Sequence, residues 1–189
     1  MSWKAQLERY EQEKKWSAAM ALVQQTIREN PDNAEAYVRA IYLLHYISIG
    51  PESSEVLYEE AAALLKHYFD ESREKFADDA EYLFFTGKML YIAEWLFGLD
   101  DDDKPIEKRL AFQMQKKAAE KEPDNLLFEW ACCFSLNYKS AGYLASQILL
   151  HHTDSIAWLQ SKGFAGRYML SALEGSKNKY LANAKSCCL

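Results

Sequence analysis

Residues Trp16 to Tyr37, WSAAMALVQQTIRENPDNAEAY, decide the fold class. Trp16, Ala19, Met20, Val23 and Ile27 recur at three- and four-residue steps, which places them on one face of a helix. Asn30-Pro31-Asp32-Asn33 stops that helix, because proline cannot donate to the ladder and pushes the preceding residue out of the helical region. Asp32 or Asn33 then caps a second helix that carries Glu35 in its first turn, where negative charge is favoured. The corner returns as Glu122-Pro123-Asp124-Asn125 after AFQMQKKAAEK, and two such units in a short chain signal a repeat.

Composition agrees with a helical core. The 189 residues are 49% hydrophobic and 14% aromatic, with only seven glycines and four prolines, which argues for long helices and few tight turns. No two-residue alternation predicts a strand. A net charge of -6 argues against nucleic acid as the main partner and for basic proteins or peptides. No apolar run reaches the roughly 20 residues of a membrane span, and the polar N-terminus does not read as a signal peptide, so a cytoplasmic protein with no membrane contact is expected. Cys132-Cys133 and Cys187-Cys188 are adjacent pairs, a poor geometry for bridging, and are read as reduced thiols.

Outward from the opening stretch, Trp3, Leu7 and Tyr10 mark a helix over Ser2 to Lys14, and a short Lys14-Lys15 turn predicts that it packs antiparallel to Trp16–Glu29. This pair resembles a tetratricopeptide repeat, a helical hairpin of about 34 residues. Trp3, Leu7, Tyr10, Ala19 and Pro31 fall on that family's spacing, whereas Gln6 and Thr26 depart from its usual leucine and alanine. A second unit opens at Ala34, with helix B over Ser54 to Phe69 capped by Ser53 or Ser54, followed by a charged connector, Asp70 to Asp79. A third opens at Ala80, has Gly87 at the expected helix crossing, continues helically to Phe97, and has helix B over Ile106 to Lys121. The fourth starts at Leu126, with helix B over Ala141 to His151. Ser155 to Leu173 and Lys177 to Cys188 form a last hairpin without the repeat landmarks. The resemblance thus implies an all-α solenoid of antiparallel hairpins, about ten helices, with repeats over 1–152 and capping helices of the same domain over 153–189.

Chemistry-bearing clusters are few. Asp100, Asp101, Asp102 and Asp103 read as a solvated acidic loop, a contact for a basic partner, or charge placed before a helix N-terminus. They lack the alternate spacing, glycine and closing glutamate of a calcium loop. Cys132-Cys133 and His151-His152 lack converging zinc spacing, and Ser186 stands where a prenylated cysteine would. No phosphate loop, nucleophile elbow or His-Glu-x-x-His is present, so the chain is read as non-enzymatic, with no catalytic residue, metal or cofactor.

The family's A helices line a concave groove, and its positions carried over here are Lys4, Glu8 and Glu11, then Val38, Tyr42, His45 and Tyr46, then Phe84, Lys88, Tyr91 and Ile92, then Trp130 and Phe134. These face either a partner or the C-terminal hairpin. Glu8 and Tyr42 replace the asparagines that relatives use to grip a C-terminal carboxylate. The resulting expectation is a protein-binding module that masks a basic or partly apolar partner. An immunity protein neutralising a basic toxin is the specific form preferred. A secretion or assembly chaperone and a self-associating scaffold are the alternatives, and a helical enzyme using His151 or Cys132 comes last.

Overall fold

Each helix that follows a corner begins with a side chain that satisfies its free amides. Asn33 Oδ1 accepts from the Ala36 amide at 3.2 Å, Asp79 Oδ1 from Tyr82 at 2.8 Å, and Asn125 Oδ1 from Leu127 at 3.1 Å. A computed structural model describes residues 2–50, 55–101, 103–136 and 138–186. Among them are ten α-helices and no strand. They are α1 (Trp3–Gln12), α2 (Trp16–Glu29), α3 (Ala34–Ile49), α4 (Glu55–Lys75), α5 (Ala80–Ala93), α6 (Leu110–Lys121), α7 (Leu126–Leu136), α8 (Tyr138–His151), α9 (Thr153–Gln160) and α10 (Gly163–Ser186). The expected all-helical class is therefore observed.

Contacts run mostly between sequence neighbours: α1 with α2, α2 with α3, α3 with α4, α5 with α6, α6 with α7, and α7 with α8. The core is one continuous aliphatic and aromatic cluster from Leu7 to Leu173. At the α5–α6 crossing, a Cβ on Gly87 would lie 3.0 Å from Met114 Cβ and 3.1 Å from the Ala111 carbonyl oxygen, so glycine suits the close approach of these backbones. Gln115 completes the crossing by donating to the Gly87 carbonyl at 3.0 Å while accepting from Ser135 Oγ at 2.9 Å.

Several boundaries differ from the sequence expectation. The charged connector Asp70 to Asp79 is mostly helix, because α4 continues to Lys75. Ser72, fully buried, bonds Tyr82 Oη at 2.7 Å, and Phe76 packs against Tyr37 and Tyr82, so tertiary contacts hold the extra turns. Helix α5 ends at Ala93 rather than continuing to Phe97, and the chain tightens into a 3₁₀ turn over Glu94–Phe97. Ile106–Lys108 is also a 3₁₀ turn, and α6 starts only at Leu110. Helix α8 begins at Tyr138 rather than Ala141. The proposed caps Ser53 and Ser54, together with Asp102 and Cys187-Cys188, lie outside the described residues.

The C-terminal third is divided at a different place. The expected break near Gly175 is absent and α10 runs through it, while the chain turns at Ser161-Lys162-Gly163, with Gly163 at φ +61°. That left-handed conformation is one glycine adopts without steric cost. Helix α10 packs against α8, α9, α3 and α1, and so folds back over the N-terminal helices. Gly166 lets α9 and α10 meet: a Cβ there would sit 1.6 Å from the Leu159 carbonyl oxygen, which is backbone and cannot swing away. Gly175 has nothing within 4 Å. Gly166→Ala should therefore lower stability in urea by about 3 kcal/mol through forced separation of α9 and α10. Gly175→Ala should raise it by about 0.5–1 kcal/mol through helix propensity alone.

Candidate functional site at the helix corners

Many of the carried-over groove positions are buried. Tyr42, His45, Phe84, Lys88 and Trp130 are each no more than 3% exposed. Helix α9 places Trp158 against Phe85, Phe84 and Phe128, with ring centroids 5.6, 6.2 and 6.4 Å apart. Helix α10 sets Phe164 on Tyr46 at 4.9 Å and Tyr168 on Tyr42 at 5.9 Å. Of the two neighbours expected for these positions, a partner or the C-terminal helices, the second is found: large aromatic faces on α3, α5 and α7 bury against α9 and α10 of the same chain, because that removes them from water. Lys4 and Glu8 are engaged within the chain too, Lys4 with Glu35 and Glu8 with Arg39. Tyr91 and Phe134 stay half-buried, their centroids 5.8 Å apart.

In the acidic loop, Asp101 matches the expectation of negative charge placed before a helix N-terminus. Asp101 is 5% exposed; its Oδ1 accepts from Lys104 and its Oδ2 from the Leu110 amide at 3.0 Å. The Lys104 and Leu110 hydrogen bonds hold its carboxyl below the usual range, and it serves as a remote cap for α6. Asp100 and Asp103 are exposed. His151 and His152 are exposed and the Cys132 and Cys133 thiols are half-buried. Among the described residues no group of three His, Cys, Asp or Glu side chains is placed to hold a metal ion.

What the fold brings together instead is carboxylates around the two proline corners. One cleft of about 820 Å³ is lined by the first corner, with Glu29, Asp32, Glu35, Asp79 and Glu81, and by no lysine or arginine. A second, of about 730 Å³, is lined by the other corner, with Glu122, Asp124 and Asp154 beside Lys121, His152, Phe128 and Trp158. Glu81 lines both. The repeated corner motif was the one available signal for this site; Glu81 and the C-terminal residues around it carry no motif.

Two cations hold the wall between these clefts and the rest of the chain. Lys162, from the α9–α10 turn, donates to Glu81 Oε1 at 2.6 Å and Oε2 at 2.7 Å and lies 5.0 Å from the Trp158 ring centre. Burial raises the Glu81 pKa above the usual carboxylate value and outweighs the Lys162 hydrogen bond. Arg39, 4% exposed, donates to Glu35 Oε1 at 3.0 Å, Glu8 Oε1 at 3.0 Å and the Ser161 carbonyl at 2.9 Å, over the face of Trp3. Burial pushes the Glu35 carboxyl upward, but the Lys4 hydrogen bond and the charges of Lys162, Arg39 and Lys4 prevail and hold it low.

Behind the covered faces lies a polar group with no such support. Lys88 Nζ is enclosed by the rings of Phe134, Trp130 and Tyr91, at 3.0, 4.8 and 5.4 Å from their centres, and has no hydrogen-bond partner. Burial alone pushes its pKa down to about 6. His45 Nε2 is likewise unpartnered, and burial takes that imidazole down to about 4.

No family model, curated protein or solved structure matches the chain.

Arg39→Met would leave Glu8 and Glu35 without their buried counter-ion and Ser161 without its donor, and should lower stability by about 3 kcal/mol in urea. Arg39→Lys, which keeps the charge but loses the three-way fork, should fall in between. Lys88 has the opposite effect. Its folded pKa is about 6 against an ordinary 10.5, so the unfolded chain binds more protons between those values. Its contribution to stability therefore rises with pH across that window and is lost as pH falls towards 6. Lys88→Met should flatten the rise, as urea midpoints measured along the window would show.

Proposed function

We propose that the chain is a non-enzymatic protein-binding module that takes a basic segment of a partner in the two acidic corner clefts. The observation that carries this reading is the first cleft, whose lining holds five carboxylates and which shares Glu81 with a second carboxylate-bearing cleft. Of those five, Glu35, Asp32 and Glu81 are paired with Lys4, Arg39, Lys75 and Lys162 from outside the lining. Carboxylates gathered at one site attract lysine and arginine side chains over distance and select against acidic partners. The second cleft adds Phe128, Leu127 and Trp158, which suit the aliphatic stems of those side chains or a flanking apolar residue. We read the helix–corner–helix units as tetratricopeptide-like hairpins stacked as a solenoid, closed on its inner face by α9 and α10, so that recognition falls to the corner edge. An immunity protein for a basic toxin, or a chaperone for a basic client, fits such a surface.

A self-associating scaffold has its own support: Ile49, Val56 and Ile92 are 52%, 75% and 40% exposed at the ends of α3, α4 and α5, and Trp95 in the 3₁₀ turn after α5 is 60% exposed. Sedimentation that depends on protein concentration, with no partner added, would favour it.

The binding reading is tested with a labelled peptide rich in lysine and arginine. Binding should weaken steeply as salt is raised. Asp32→Asn with Asp124→Asn, both exposed, should raise Kd about tenfold, equivalent to about 1.4 kcal/mol, without moving the thermal midpoint. Salt-independent binding, or an unchanged Kd in the double variant, would overturn it.

A further inference from the structure

We infer that the cleft between α4, α5 and α6 is a binding site for a free apolar α-amino acid. It shares no lining residue with either corner cleft and stands apart from the partner proposed for them. Its volume is about 300 Å³, at the small end of the range for ligand sites.

Helical periodicity shapes this cleft. Leu110, Gln113, Met114 and Lys117 recur at three- and four-residue steps and form one face of α6. On the opposite wall Ser72 and Phe76 are buried in the core, which turns Arg73, Glu74 and Ala77 towards the cleft. Leu83 of α5 closes the bottom. Leu83 and Met114 are 3% and 5% exposed, and Leu110 and Ala77 are half-buried, so the floor is apolar. Arg73, Glu74 and Gln113 are exposed and border the mouth, through which a ligand enters from water.

That mouth carries one uncommitted charge of each sign. Lys117 Nζ is already held by Asp78 at 3.0 Å, from outside the lining. Arg73 lies against the Phe69 ring, 5.9 Å from its centre, and neither Arg73 nor Glu74 has an ion-pair partner among the described residues. An α-amino acid bears a carboxylate and an ammonium on one carbon. The planar fork of Arg73 suits the carboxylate, and the Glu74 carboxylate accepts from the ammonium. A simple carboxylic acid would meet the Glu74 charge unpaired, and a simple amine would meet Arg73. A longer peptide carries its two charges at opposite ends and cannot bring both to this mouth. The apolar side chain of the ligand lies on Leu83, Leu110 and Met114, where it leaves water. Met114, unbranched and flexible, adapts to side chains of different shape.

The test titrates phenylalanine into the full chain at neutral pH and follows the methyl resonances of Ala77, Leu83, Leu110 and Met114. Saturable shifts are expected on these methyls and none on Val38 or Leu127, which line the corner clefts. N-acetylphenylalanine, which lacks the ammonium, and phenylalaninamide, which lacks the carboxylate, should each bind about tenfold more weakly. Arg73→Gln and Glu74→Gln, both at exposed positions, should each raise Kd about tenfold without moving the thermal midpoint. No saturation at millimolar phenylalanine, a capped form that binds as tightly as the free amino acid, or an unchanged Kd in either variant would each refute the inference.

Discussion

The buried guanidinium of Arg39 is where the two ends of the chain are tied together. It reaches Glu8 on α1, Glu35 on its own helix and the Ser161 carbonyl in the α9–α10 turn, and it lies over Trp3. A planar fork with several fixed donors can serve three acceptors at once, which an ammonium on a flexible stem cannot. The turn it grips is shaped for the purpose. Gly163 takes a left-handed φ, and a Cβ there would come within 2.5 Å of Arg39 Nη1. Once Ser161 is fixed, Trp158 on one side and Phe164 and Tyr168 on the other are carried over the aromatic faces of α3, α5 and α7.

That closure redistributes the surface. Faces that would otherwise present tyrosine and phenylalanine to a ligand become core, and the polar groups stranded behind them, Lys88 and His45, lose their charge more easily than they find a partner. The proline corners stay outside, with their carboxylates. Lys162, delivered by the same turn, lies on Glu81 between the two clefts, so the element that closes the inner face also supplies a cation to the acidic edge.

Much of the helical layout was legible in the residues because it rests on local rules. Helix α2 occupies Trp16–Glu29 as its periodicity predicts, α3 starts at Ala34 behind an Asn33 cap, and Gly87 sits where two backbones cross. The misplaced boundaries have a common cause. Asp70 to Lys75 looked like a linker by composition, yet Ser72 and Phe76 are held by Tyr82 and Tyr37, which lie on other helices. Gly175 looked like a break and is an exposed helix glycine, while the true turn at Gly163 depends on contact with Arg39. Of the candidate sites, the Asp100 to Asp103 run predicts negative charge before a helix N-terminus, and the position of the Leu110 amide makes Asp101 the cap.

By itself, then, the sequence determined that this chain is helical, where most helices start, and that two acidic proline corners recur, because caps, proline and 3.6-residue periodicity act within a few residues. Only the tertiary structure decided which faces meet solvent. That choice depends on where α9 and α10 lie against helices more than a hundred residues earlier, as in the bond from Arg39 to Ser161. Burial, ion pairing and pKa follow from that packing: it set α9 and α10 against the groove positions, made Asp101 a cap, left Lys88 without a counter-ion, and placed Glu81 in the lining of both corner clefts.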